Sequence, residues 1–264
     1  MTFHHRVEIP ADSPFFTGHF PGHPVLPGIA HPLLVARALA ATAGGAVRIA
    51  EIPFLKLRSP VLPGDGLEIS GTGPGDDGMV RFDLRRGAEA VSQGTFRIAP
   101  AEWDGAAPLP VAVLETEPRA YPTVATLVPH LPPARLITEI VDASADGLTA
   151  LAAIPIASPF VEDGRAPAFL GLEAAAQGAA ALEALSRRDA AGPRIGYLVG
   201  LRDACFQTAW LPADRQFRIA VRLAGGAAAL SIYEVTVEGE GGNELVRGTI
   251  STYITAFPGP ATPS

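Results

Sequence analysis

The stretch from Pro14 to Gly28, PFFTGHFPGHPVLPG, is where residue type and spacing first suggest chemistry. His19 stands there among closely spaced prolines and glycines. A backbone so constrained can hold a side chain within about 0.5 Å of a working geometry. Gly28 lies just ahead of an apolar helical segment. Its N–H is then one of the unpaired donors of a helix N-terminus, where the macrodipole favours negative charge. A histidine base beside a backbone donor suits removal of a proton next to a carbonyl, with the N–H holding the oxygen as charge develops. A second pair stands far downstream, in GLEAAAQ. Glu173 and Gln177 are four apart, so they share one helix face, and the amide can hold the carboxylate.

The remaining candidates read more plainly. His19 and His23 are four apart, but the intervening Phe-Pro-Gly prevents a helical ligand pair. His31, next to Pro32, reads as a first-turn helix residue. His130 reads as a structural or tunnel-lining residue, and Cys205 as a core residue of a strand. No Cys/His cluster has zinc spacing, and neither G-x-G-x-x-G nor a P-loop is present. The expectation is a site with no metal and no cofactor.

Two similar sets of elements must position these residues. In the first, residues 3–9 read as a strand, a Pro/Gly-rich loop follows, and IAHPLLVARALAATAGG reads as an apolar helix ended by Gly44-Gly45. Strand-like runs follow at VRIAEIPFLKLRS, GLEISG, MVRFDLRR and EAVSQGTFRIA. In the second, ARLITEIVDAS and LTALAAIPIAS read as strands around Asp146-Gly147. After the loop PFVEDGRAPAF comes a helix of about 17 residues, or about 25 Å, from Gly171. Four more strands begin at Arg194, Gln216, Leu230 and Glu244. The expected domains are 1–99, bearing the histidine, and 123–256, bearing the glutamate. A Pro/Ala-rich linker at 100–122 joins them, and 257–264 forms a tail. A helix apolar on most faces must be buried on most sides. With antiparallel strands beside it, the expected class is α+β, a sheet wrapped around each helix.

Composition sets the outer limits. Of 264 residues, 48% are hydrophobic and 18% charged, which suits a packed core rather than a disordered chain. Twenty Lys and Arg against 27 Asp and Glu leave a net charge of −7, a poor balance for nucleic acid or anionic membranes. A single cysteine, no basic-then-apolar leader and no apolar run of about 18 residues lead to the expectation of a cytoplasmic protein.

HFPG-x-PV-x-PG resembles the signature of the bacterial 3-hydroxyacyl-[acyl-carrier-protein] dehydratases, a hotdog-fold family. The segment Lys56–Leu67, KLRSPVLPGDGL, is similar to that family's second signature. The resemblance implies His19 as catalytic base and the Gly28 N–H as the group that binds the thioester carbonyl, with Phe20 and Pro27 supporting them. It also implies an acid fourteen positions after the histidine, where this chain has Leu33. The second half supplies that acid. GLEAAAQ resembles the family's E-A-x-A-Q helix motif, with Glu173 as acid and Gln177 as its support, and LVPHLPPARLITEIVD is similar to its opening segment. The loop PFVEDGRAPAF has no histidine. Each half thus lacks what the other has. The chain also resembles the paired dehydratases of aryl-polyene biosynthesis, here fused into one chain.

The resemblance implies a double hotdog, a pseudo-dimer within one chain that is open to assembly into further homo-oligomers. The implied reaction is dehydration of a (3R)-hydroxyacyl thioester to a trans-2-enoyl thioester, with the substrate borne on the phosphopantetheine of an acyl carrier protein. His19 and Glu173 would form one composite site. The alternatives are a hotdog acyl thioesterase and a non-catalytic module that binds acyl groups or their carrier.

Overall fold

The computed structural model describes residues 1–99, 121–187 and 194–256. The expected tail, and all of the expected linker but Tyr121 and Pro122, lie outside the described residues. The first half comprises β1 (Thr2–Glu8), α1 (Ala30–Ala43), β2 (Ile49–Leu57), β3 (Gly66–Thr72), β4 (Met79–Arg86) and β5 (Glu89–Ile98). The second begins with a single turn, α2 (Val124–Leu127), then β6 (Ile137–Ala143), β7 (Gly147–Ala153) and β8 (Arg165–Pro167). It continues with α3 (Leu170–Ser186), β9 (Arg194–Phe206), β10 (Trp210–Pro212), β11 (Gln216–Ala227), β12 (Leu230–Glu238) and β13 (Glu244–Ala256). The sequence reading missed α2 and the short pair β8 and β10. Each is three or four residues long, too short to show a period.

Alternation builds the strands. Along β4, Val80, Phe82 and Leu84 are buried while Arg81, Asp83 and Arg85 are exposed. The helices follow a different logic. α1 ends where Gly44 adopts φ 78° and returns its N–H to the Ala40 carbonyl, a conformation that favours glycine. α3 is mostly Ala, Leu and Gly, and small residues let it lie close to the strands. A Cβ on Gly178 would come within 2.5 Å of Ile219 Cδ1.

The two sheets join edge to edge. The order is β1-β3-β4-β5-β2-β9-β13-β12-β11-β7-β6, one antiparallel sheet of eleven strands. The seam is β2 on β9, with Leu55 opposite Leu201 and Ile52 opposite Ala204, all fully buried. Burying a Leu or Ile side chain is worth about 1.5–3 kcal/mol, so the seam belongs to the core. A second contact also crosses the halves. Ser13-Pro14-Phe15 and Ser158-Pro159-Phe160 repeat one tripeptide, and their two phenyl rings meet edge to face at 4.9 Å.

Cys205 departs from its core reading. It is half-buried and faces away from its buried neighbours Ala204 and Phe206. Alternation in β9 sends it to the other face of the sheet. Among the described residues, no helix is long and apolar enough to cross a membrane.

Candidate active site

The loop that carries His19 is folded back on itself. Val25 N–H donates to the His19 carbonyl at 2.9 Å, and His23 N–H donates to the Phe20 carbonyl at 3.0 Å. Leu26 N–H reaches the Val61 carbonyl at 2.8 Å, so the loop is tied to the segment bearing the second signature. Leu131 N–H reaches the Gly18 carbonyl at 3.1 Å, which ties the same loop to the second half. Gly18 has φ 80°, and a Cβ there would lie 2.1 Å from the Leu131 oxygen; only glycine lets the two halves approach this closely.

A side-chain contact fixes the orientation of the His19 ring. Its Nδ1 lies 2.8 Å from the Val25 carbonyl oxygen. A carbonyl only accepts, so Nδ1 carries a proton, and whenever the ring is neutral the lone pair falls on Nε2. Phe20 stacks on the imidazole, with centroids 4.2 Å apart.

Glu173 sits in the first turn of α3, where the helix dipole favours an anion. Gln177, one turn on, is completely buried and fully engaged. Its Nε2 donates to Glu173 Oε1 at 3.1 Å and to the Ala134 carbonyl at 2.9 Å, while its Oε1 accepts from Leu136 N–H at 2.8 Å. The amide thus locks the carboxylate to the segment entering β6.

His19, Phe20, Gly28, Glu173 and Gln177 all line one cavity of about 310 Å³. Pro27 does not. It lies in a small adjoining cleft behind His19 and Glu173. His19 and Glu173 are each 6% exposed. The structure brings His19 and Glu173, from opposite halves of the chain, into one buried space.

A third titratable side chain is there as well. His130 presents Nε2 3.6 Å from Glu173 Oε1, and its ring lies 5.1 Å from that of His19. One ligand atom from each of His19, His130 and Glu173 falls within 4.8 Å of the others. Burial, with His19 and Arg135 nearby, holds His130 well below the usual histidine range. The sequence reading makes it structural or tunnel-lining, and it does line the cavity, but that reading misses its approach to Glu173. Its place in LVPHLPP carried no signal of a partner on α3. Of two further histidines, His31 lines the cavity and His23 contacts a residue that does. His31, whose Nδ1 lies 2.9 Å from Ser92 Oγ, is fully buried and pushed down to about 4 by desolvation. His23 lies 3.1 Å from the Tyr197 hydroxyl.

A protein whose two halves each pack their strands on one helix, and whose strands join at one seam into a single sheet, is a double hotdog. Residues 122–258 match the ApeP-like family, described as ApeP dehydratase, and residues 1–95 match the ApeI-like family, described as ApeI dehydratase. The chain belongs to the ApeP-like dehydratase family, with an ApeI-like unit fused ahead of it.

Relatives agree with this. The chain is 42% identical over 77 residues to the 3-hydroxyacyl-[acyl-carrier-protein] dehydratase FabZ of Geobacter metallireducens, covering 24% of this chain and 49% of that protein. It is 37% identical over 98 residues to the enzyme of the same name from Roseiflexus castenholzii, covering 32% and 56%. The chain spans about half the length of the curated relatives it matches. The dehydratase domain of PpsC from Mycobacterium tuberculosis, solved in complex with C12:1-CoA, superposes with a TM-score of 0.65 at 18% identity, over 96% of this chain and 94% of that one. A trans-AT PKS dehydratase domain from Brevibacillus brevis gives 0.65 at 17%, over 96% and 93%. At such identities the likeness is one of fold.

Proposed function

We propose that the chain dehydrates (3R)-hydroxyacyl thioesters on an acyl carrier protein to trans-2-enoyl thioesters, in type II fatty acid or polyene/polyketide synthesis. The observation that carries this reading is that His19 and Glu173, from different halves, open into the same cavity. A proton acceptor and a proton donor must both reach one C2–C3 unit, and these two groups are close enough to do so.

The chemistry follows from the ring state and the clamp. The lone pair on His19 Nε2 takes the proton from C2. The electrons of the C–H bond form the C2–C3 double bond as the C3–O bond breaks. Glu173 gives its proton to the departing hydroxyl, which leaves as water. The Gly28 N–H steadies the thioester oxygen while charge builds on it. At the end His19 is protonated and Glu173 ionised, and both exchange with solvent once product leaves. No step needs a metal or a cofactor. Dialysis against a chelator should leave activity intact, whereas loss restored by added metal would assign the His19, His130 and Glu173 set to a cation instead.

The thioester would enter on a phosphopantetheine arm, and a cytoplasmic location suits such a partner. Carrier proteins are acidic, so arginines are the natural contacts. Several of the arginines that could serve are already engaged: Arg187 and Arg194 pair with Glu183, and Arg165 lies over the Trp210 ring.

The test is product analysis with a (3R)-hydroxyacyl carrier thioester. His19→Ala and Glu173→Gln should each lower kcat at least about 100-fold with the fold intact. Retention of dehydration in both variants would sink the composite site. Release of free thiol without enoyl product would make the protein a thioesterase.

A further inference from the structure

We propose that His130 is a positioning residue that, together with Gln177, decides which oxygen of Glu173 carries the transferable proton. The inference deepens the reaction proposed above and rests on it.

The geometry is one of convergence. The Gln177 amide donates to Glu173 Oε1 at 3.1 Å, and His130 Nε2 lies 3.6 Å from the same atom. Among the described residues, His130 Nδ1 is buried with no hydrogen-bond partner. Nε2 is therefore the ring nitrogen that faces an acceptor, at 3.6 Å, and the tautomer that puts the proton there aims the ring's one N–H at Glu173 rather than at no acceptor. Burial keeps the ring neutral, so it brings one N–H and no charge.

Two donors on Oε1 make it the carbonyl-like oxygen of the protonated acid. The acidic hydrogen then belongs on Oε2. After the proton has gone, the same two donors hold the charge left on the carboxylate. A separation of 3.6 Å is outside hydrogen-bond range, but such contacts are commonly long in the free enzyme and close in the complex. The packing fits a fixed ring: Phe20 meets His130 edge-on at 4.8 Å, and His19 lies at 5.1 Å.

A purely structural role would depend on ring shape, and a positioning role on the N–H. His130→Gln carries a donor to the place of Nε2, while His130→Phe keeps the aromatic packing without it. The positioning role predicts that His130→Phe lowers kcat about 10–100-fold with KM nearly unchanged, and that His130→Gln restores most of the loss. In a Glu173→Gln background, His130→Phe should cost nothing further, because the group it acts through is gone. If the Phe variant fails to fold, His130→Asn serves in its place. Its amide stands where Nδ1 was, and it should lose activity as Phe would. A Phe variant as active as the Gln variant, or an undiminished loss in the Glu173→Gln background, overturns the inference alone. A wild-type enzyme that forms no enoyl product overturns the reaction beneath it.

Discussion

Arg37 and Glu162 form an ion pair at 2.6 Å that joins α1 to the loop before β8. Arg37 stands four residues after Leu33, as Gln177 stands four after Glu173. Where one half places an acid and its amide clamp, the other places a leucine and an arginine paired across to the facing loop. Nothing at Leu33 can give or take a proton, and the facing loop has no histidine.

One acyl group per chain is therefore the expected stoichiometry. Titration with a mechanism-based acyl inhibitor should label one site, and His19→Ala should abolish labelling altogether. Two equivalents bound would contradict this. Arg37→Ala should leave turnover unchanged and cost at most about 1 kcal/mol, since both partners are largely exposed.

Gln177 joins the site to the fold, so Gln177→Leu should damage both. It strands the buried Leu136 N–H, leaves the part-buried Ala134 carbonyl without its donor and frees Glu173. A buried group left unpaired costs about 1–3 kcal/mol. A fall in Tm is expected together with a fall in kcat. A variant that loses stability but keeps full kcat would show that the clamp does not matter to Glu173.

Gly28→Ala tests the cavity wall. The new Cβ would come within 2.6 Å of Leu57 Cδ1, the end of a flexible side chain that also lines the cavity. The fold should survive while Leu57 shifts. Weaker substrate binding is expected, by about 10-fold in KM or ~1.4 kcal/mol, with a wild-type circular dichroism spectrum. An unchanged KM would place the acyl chain away from this wall.

Acid should destabilise the protein through its buried histidines. His31 is lowered to about 4 from 6.5. Between those values the unfolded chain binds a proton that the native ring does not, so stability falls as pH drops through this window and is level above it. The full effect is about 3 kcal/mol, and His130 acts in the same direction. Denaturant unfolding from pH 7 to pH 4 should show the slope. His31→Leu should flatten it, even though the loss of the Ser92 contact lowers stability overall. An equal slope in that variant would assign the acid sensitivity elsewhere.

Much of this was legible in the chain itself. The strand alternation of Val80, Phe82 and Leu84, the glycine stop after α1 and the 17-residue length of α3 are local properties, and local pattern reports them. The crowded prolines and glycines around His19 and the i, i+4 spacing of Glu173 and Gln177 are local too. The family resemblance implies that His19 and Glu173 share one site, but only tertiary structure decided that β2 would pair with β9, because alternation says which face of a strand is buried but not whose edge it meets. The same holds for His130, whose neighbours in sequence give no sign of Glu173, and for Cys205, whose face in β9 was set by the partners of Ala204 and Phe206. Side chains acquire chemistry from what they approach, and approach between distant segments is fixed by packing of the whole core.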